Sequence, residues 1–426
     1  MIPSPSLSTL LALAAALSAV DAVANTTASS WVPRTCDNNP TGPLTPPFKQ
    51  RSCRAPVELL DYRKVTTHYP WTHKPECAPS SLEGKNRHPY CAFTRDDFRG
   101  TQGLIVLTDS DIASDLGHIL DDRDPKWWRA PAEEPLPETP PYSIVYLEEK
   151  GLGVVADRFI PKGTVIMRDA PAILKLVDRP KSLDKDEAII VAERAFVKLP
   201  KEEQMQILDL ARNMGGPRLD DVVRTNAFRI KLQGVEHYGV FKEVARLNHE
   251  CRPNAITRWS SMRVQMEVIA YKDIKPGEEI TLSYAPLNMV SDDRADLIMG
   301  TWGFQCQCSL CKSEAEVFLS DAHRRQMDRI MEELDIAEVR TPVLVADLAE
   351  ELEEMIDEES LDAQRGDIYG ILSRVYSEMG DFKGALRYAE KGSLKQEYYK
   401  GWDDSRTWQA RRFVEILKMR IRRSKM

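Results

Sequence analysis

The sequence predicts an α+β protein: a β-rich domain of short strands that carries a helical insertion, followed by an all-α C-terminal domain. Three observations predict it. From Tyr142 onward, SIVYLEEKGLGVVADRFIPKGTVIMRDAPAIL alternates short β-rich runs with Gly and Pro turns, and similar runs return at MRVQMEVIAYKDI and EEITLSYA. Between these two blocks, from Asp184 to about Leu219, the apolar spacing turns helical. From about Ala322 to the end, the chain is dense in Glu, Leu, Ala, Arg and Lys at helical spacing. The 426 residues suit two or three domains at ~150 residues each. A 42% hydrophobic, 29% charged composition supplies enough apolar side chains for a buried core. The net charge of -8 argues against direct nucleic-acid binding and is compatible with a basic protein substrate.

The N-terminus opens with an apolar run, Leu7 to Val20, followed by Ala22-Val23-Ala24, a small-x-small pattern. Residues 1–24 read as a secretory signal peptide cleaved after Ala24, although no Lys or Arg precedes the run. The alternative is a disordered or membrane-surface leader on an intracellular protein. Asn25-Thr26-Thr27 is a glycosylation sequon, poorly placed beside a cut. No later stretch is long and apolar enough to predict a transmembrane helix.

Residues 25–120 form a cysteine-containing, loop-rich region in this reading. Its later part, Gly103 to Leu120, predicts a strand and then a helix capped by Asp109 or Ser110. Charges and prolines mark residues 121–141 as a linker. The β-rich domain follows over 142–285 with its helical insertion at about 171–222, then a short segment, 286–312, and the helical domain, 313–426. Within the last, Leu372 to Ser393 has the spacing of a tetratricopeptide helix pair. Leu372 and Tyr376 lie on the first helix, Gly380-Asp381 forms the turn, and Ala385 and Ala389 are small residues on the second. A plain antiparallel helical hairpin fits the same spacing. The acidic run Ala346 to Asp362 reads as a solvated helix face, with attraction of a basic substrate tail as the alternative.

The eight cysteines fall into two sets. Cys36, Cys53, Cys77 and Cys91 are widely spaced, which suits disulfides in an oxidising compartment or, without a cleaved leader, free structural thiols. Cys306-x-Cys308-x-x-Cys311 places three soft ligands within six residues. A closed zinc site needs a fourth, and Cys251 is the only other cysteine in the second half. Unmetallated thiolates this close would repel one another.

Cys251 lies in RLNHECRPNA. Asn248 and His249 there offer amide and imidazole groups just before a ligand that would fix their position, and Pro253-Asn254 turn the chain away. In EKGLGVVA, Gly151 and Gly153 leave a strand edge open to close approach by a ligand; a plain β-turn is the alternative. In PGEEITLSYA, Tyr284 ends a strand, as an interior aromatic or a functional phenol.

Taken in order, KGLGVVADRFIPKGTVI, TNAF, RLNHECRPNA, GEEITLSYAP and WGFQCQCSLC resemble the SET-domain protein lysine methyltransferases over Tyr142 to Lys312. The helical insertion and helical C-terminal domain look most similar to the SET-and-MYND branch and its fungal relatives. The resemblance implies transfer of a methyl group from S-adenosylmethionine to lysine side chains of a protein, histone or other. It implies that Lys150, Gly151 and Gly153 border the cofactor pocket, and that Asn226 contacts the cofactor. Asn248 and His249 would hold its two ends, Phe304 would pack on its adenine, and Tyr284 would be the catalytic tyrosine. It implies one structural zinc ion on Cys251, Cys306, Cys308 and Cys311. It also implies a nuclear or cytoplasmic home, against the secretory or extracellular one that the leader suggests. Two departures stand out. Residues 171–222 contain no Cys or His, so the MYND finger is absent, and Glu250 stands where the family has a small Ser. A non-catalytic scaffold whose helical domain mediates protein–protein contacts is the reading from another class.

Overall fold

A computed structural model describes residues 68–79, 89–116, 119–120, 135–180, 183–232, 234–336 and 340–424. The leader, the sequon, Cys36, Cys53 and most of the Pro-rich linker lie outside the described residues.

Thirteen strands form among the described residues: β1 Glu76–Cys77, β2 Tyr90–Arg95, β3 Leu104–Asp109, β4 Tyr142–Leu147, β5 Gly151–Ala156, β6 Val165–Asp169, β7 Pro171–Leu176, β8 Ala227–Leu232, β9 Val235–Phe241, β10 Asn248–His249, β11 Ala255–Ser260, β12 Gln265–Ala270 and β13 Glu279–Leu282. They make a six-stranded sheet, β1-β2-β3-β7-β9-β8, a four-stranded sheet, β10-β13-β5-β4, and a three-stranded sheet, β11-β12-β6. Only β3–β7 and β10–β13 pair in parallel.

The six-stranded sheet joins the N-terminal segment to the domain that follows the linker, because β3 pairs with β7. Residues 90–95, expected to be loop, are its second strand. The reason lies in its two faces. On β2, Cys91 and Phe93 enter the central core while Tyr90 and Ala92 enter a second core beneath the helices. On β3, Leu104 and Val106 face one way and Ile105 and Leu107 the other. A strand buried on both faces shows no polar–apolar alternation. The helical insertion also begins later than residue 171: PAILKL is strand β7, between β3 and β9. The insertion helices are Lys185–Phe196, Lys201–Leu208 and Arg218–Asn226. The first is capped by Asp184, whose carboxylate accepts the Asp186 and Glu187 N–H groups. The predicted Asp109 cap also forms, accepting from Asp111 and Ile112 at the start of helix α1, Ser110–Asp115. The insertion helices are α2 to α4.

Cys77 and Cys91 face one another across β1–β2 and are joined as a disulfide. Cys251, Cys306, Cys308 and Cys311 are free.

Helices α5 Ser291–Trp302, α6 Ser309–Lys312, α7 Glu314–Asp335, α8 Pro342–Glu358, α9 Arg365–Glu378, α10 Phe382–Lys400 and α11 Ser405–Arg423 complete the chain. The helix pair expected at 372–393 is α9 and α10. Leu372, Tyr376, Ala385 and Ala389 all lie in one buried cluster, and the buried Ser373 hydroxyl donates to the Ala385 carbonyl. A side chain at Gly392 would press on Tyr369 Cβ at 3.2 Å, so the small residue sets how closely the helices approach. Each large apolar side chain buried here contributes ~1.5–3 kcal/mol. No helix among the described residues is long and apolar enough to cross a membrane.

Polar contacts lock the helical domain onto the β domain. The Tyr271 hydroxyl donates to Ser360 O at 2.8 Å, Arg258 to Tyr398 O at 3.0 Å, and Ser260 to Asp403 at 2.9 Å. Arg324 and Glu359, both almost fully buried, pair at 2.7 Å, and Arg252 reaches the same carboxylate at 3.5 Å.

Candidate active site

The site forms where β10 meets β13. Asn248 and His249 pair in register with Thr281 and Leu282, so the end of β13 carries Tyr284 beside the Asn248-His249 stretch. The 3-10 turn Val244–Arg246 feeds into it. That turn hangs on Asp169, whose carboxylate accepts the Glu243 and Val244 N–H groups at 2.7 and 3.2 Å. Burial pushes the Asp169 carboxyl up to about 6 against those two bonds.

Tyr284 is held at both ends. Its hydroxyl donates to the Leu247 carbonyl at 2.9 Å, and its backbone N–H donates to His249 Nδ1 at 3.0 Å. Trp302, His249 and Phe304 surround its ring at centroid distances of 4.9, 5.3 and 6.4 Å. Burial raises the phenol pKa above its ordinary value, so the group stays protonated.

The Tyr284 N–H also fixes the His249 tautomer. An N–H can meet Nδ1 only if that nitrogen carries a lone pair. Burial lowers the imidazole pKa to about 4, so the ring is neutral and Nε2 bears the hydrogen. Nε2 lies 3.4 Å from Cys251 Sγ, and the N–H points at that sulfur. Both ring nitrogens are thus engaged within the protein, which leaves His249 its backbone for a ligand.

Cys251 lies 3.7 Å from Cys306 and 3.5 Å from Cys311, sulfur to sulfur. All four sulfurs lie within 4.8 Å of one another, a group that could hold a metal ion. Hydrogen bonding from Cys251 and its neighbours draws the Cys308 thiol strongly down, while bonds to Cys306, Cys308 and Cys311 push Cys251 up. Glu250, the departure from the family pattern, turns toward this side: it reaches Thr281 Oγ1 at 3.3 Å and Ser309 Oγ at 3.5 Å.

On the other flank of Asn248 lies a small charged network. Glu279 accepts the Asn248 amide at 2.9 Å and the Lys150 ammonium at 2.5 Å. Asn248 also donates to Leu152 O at 3.3 Å. Gly153 packs closely here: a Cβ there would press on the ends of the Leu147 and Asn248 side chains, so the Asn248 amide would have to move. Gly151 is required for its φ of +76°, and a Cβ there would meet open space. Asn226 sits at the end of α4, its amide donating to Ala211 O and Val222 O at 2.7 and 2.8 Å. The adjacent Thr225 carbonyl accepts the Trp302 indole N–H at 3.0 Å, which links α4 to the aromatic group around Tyr284.

Glu279 and Trp302 escaped the sequence reading. Each sits in a quoted motif, GEEITLSYAP and WGFQCQCSLC, yet their positions carried no spacing signal of their own. A cavity of about 310 Å³ opens between the β and helical domains, lined in part by Ser283 and Ala285, the chain neighbours of Tyr284. Phe228, Ile256, Leu282 and Ser283 line its β side, and Gln364, Asp367 and Lys400 its helical side.

Comparison with known proteins agrees with this arrangement. The SET-domain family model matches residues 151–285. The histone-lysine N-methyltransferase set5 of Schizosaccharomyces pombe is 31% identical over 289 residues, covering 65% of this chain and 85% of its own. The N-lysine methyltransferase SMYD2-B of Danio rerio is 30% identical over 194 residues, and SMYD2 of Homo sapiens 29% over 211. The alignments span 43% and 47% of those two proteins, less than half of each. On this family match and these relatives, the chain belongs to the SET-domain protein lysine methyltransferases.

Proposed function

We propose that this protein transfers a methyl group from S-adenosylmethionine to a lysine side chain of a protein substrate, histone or other, at Tyr284. The observation that carries the reading is the placing of Tyr284. A buried, protonated phenol is clamped by Leu247 O and His249, and its two chain neighbours, Ser283 and Ala285, line the cavity between the β and helical domains.

The pocket residues fit the cofactor. Lys150, held on Glu279, brings a cation that a cofactor carboxylate could share, Gly151 faces open space, and Phe304 and Trp302 offer aromatic faces. Asn248, the His249 backbone and the Asn226 region complete the set. The bound cofactor supplies a methyl group on a sulfonium. The chain's own work is positioning. The Tyr284 hydroxyl gives its hydrogen to Leu247 O, so its oxygen lone pairs can accept a hydrogen bond from the incoming amine. A lysine amine at ~10.4 must be neutral to react, and the apolar walls formed by Phe228, Ile256 and Leu282 favour the neutral form. Holding two reactants in line can contribute ~7–11 kcal/mol. No strong base is needed.

Zinc is the metal that suits the quartet. Four thiolates at a Zn–S distance of ~2.3 Å form a tetrahedron with edges of about 3.8 Å, and the Cys251 sulfur lies 3.7 and 3.5 Å from those of Cys306 and Cys311. The ion would join residue 251 to 306–311 and thereby hold Phe304 against Tyr284. The helices α7 to α11 are read as a tetratricopeptide-like stack that forms the far wall of the substrate cavity. The Cys77–Cys91 bridge supports use of the leader as a secretory signal.

The test is labelled-methyl transfer onto histones and onto whole lysate, with wild type and Tyr284→Phe compared. Removing the hydroxyl is expected to slow transfer by about 10²-fold while the cofactor still binds. Equal labelling by both proteins would remove Tyr284 from the chemistry.

A further inference from the structure

The cavity lined by Ser283 and Ala285, on either side of Tyr284 in the chain, has two unlike walls. The β wall is apolar or neutral: Phe228, Pro253, Ile256, Leu282 and Ser283. The helical wall carries two charged residues, Asp367 and Lys400. They differ in what they have left to give. Asp367 already accepts the Gln396 amide at 2.5 Å and lies 4.0 Å from Arg406. Arg406 is in turn shared with Asp404 at 3.3 Å. Lys400 has no hydrogen-bond or ion-pair partner among the described residues.

Lys400 is also set in place. It is the last residue of α10, and Gly401, at φ +100°, ends the helix there. The negative end of the α10 dipole favours a cation at that point. Burial works against it, lowering the amine's pKa, and Arg406 adds to that effect, while Asp367 and Asp404 pull the other way. An ammonium group in this position gains from any anion that enters the cavity.

Resting on the methyl-transfer reading above, we infer that Lys400 is a specificity residue: it binds a carboxylate of the substrate protein, on a residue near the lysine to be methylated. The substrate class is therefore a lysine-bearing segment with a neighbouring acidic residue. A uniformly basic tail would leave Lys400 without a partner.

The experiment uses the full chain and fluorescence-anisotropy titration of amidated lysine peptides in which each flanking position in turn is Glu, Gln or Lys. At one or more positions the Glu peptide is expected to bind roughly tenfold more tightly than its Gln counterpart. Lys400→Met should abolish that ratio, Lys400→Arg should keep it, and Lys400→Glu should shift the preference to the Lys peptide. Thermal melting verifies that each variant folds, and the Met and Arg pair decides the question if the Glu variant does not. A matched free-acid series separates a side-chain carboxylate from a chain terminus; tighter binding by either supports the assignment. No Glu preference in wild type, a preference that survives Lys400→Met, or no peptide binding at all overturns it. Methyl transfer onto the same peptides is scored separately. Loss of transfer with the binding preference intact would overturn the proposed chemistry and leave the Lys400 assignment standing.

Discussion

Around Tyr284 the polar side chains are already engaged; in the cavity lined by its chain neighbours Ser283 and Ala285, the charged Lys400 is not. The engaged side is a continuous chain of contacts: Lys150 to Glu279, Glu279 to Asn248, His249 between the Tyr284 N–H and the Cys251 sulfur. The other region is a cavity of about 310 Å³ whose Lys400 has no hydrogen-bond or ion-pair partner among the described residues. The contrast teaches a division of labour. A cofactor that never changes can be met by groups fixed in advance, since preorganised groups need no rearrangement when the reaction occurs. A substrate recognised among many is met by a surface whose polar groups are satisfied only by the right partner.

Breaking the engaged side at its root is expected to have the largest effect. Cys251→Ser should lower metal content measured by elemental analysis, reduce thermal stability by several kcal/mol, and abolish cofactor binding together with them. Full metal occupancy and unchanged melting in this variant would separate the quartet from the pocket. The next effect concerns the turn that leads into Leu247. Asp169 has a raised folded-state pKa, so its contribution to stability is fully present below pH ~3.8 and lost as pH rises through about 6. Asp169→Asn keeps an acceptor for the two backbone N–H groups without the charge. Denaturant unfolding should show it more stable than wild type at pH 8, by about 2 kcal/mol, with parity near pH 4; a wild-type-like pH profile would contradict this. The smallest effect tests one link. Glu279→Gln retains an acceptor for Asn248 and removes the partner of Lys150, so the calorimetric Kd for S-adenosylmethionine should rise about tenfold with little change in melting. A variant that melts much earlier would make Glu279 a structural residue first.

Legibility in the sequence follows the same division. The quartet could be read because CxCxxC is a dense local signal and one remote cysteine remained to complete it. Tyr284, Asn248 and His249 were legible as neighbours within short motifs, and the His249 ring lies between the Tyr284 N–H and the Cys251 sulfur. Strand β2 was hidden because both its faces are buried, which erases alternation. Glu279 was hidden because a Glu in a turn-and-strand segment is unremarkable until Lys150 and Asn248 fold against it. Lys400 was hidden because it comes from the end of a distant helix and has meaning only in the cavity it borders.

The sulfur chemistry of this chain sets an order of events during its production. One pair of sulfurs must be oxidised to each other, and four others must remain thiols within 4.8 Å. An oxidant able to close the first bond would readily cross-link a bare quartet, whereas thiolates coordinated to an ion are shielded from attack. With the proposed ion in the quartet, metal loading has to precede oxidation, and recombinant expression without ample metal should yield mispaired material even where the redox conditions are right.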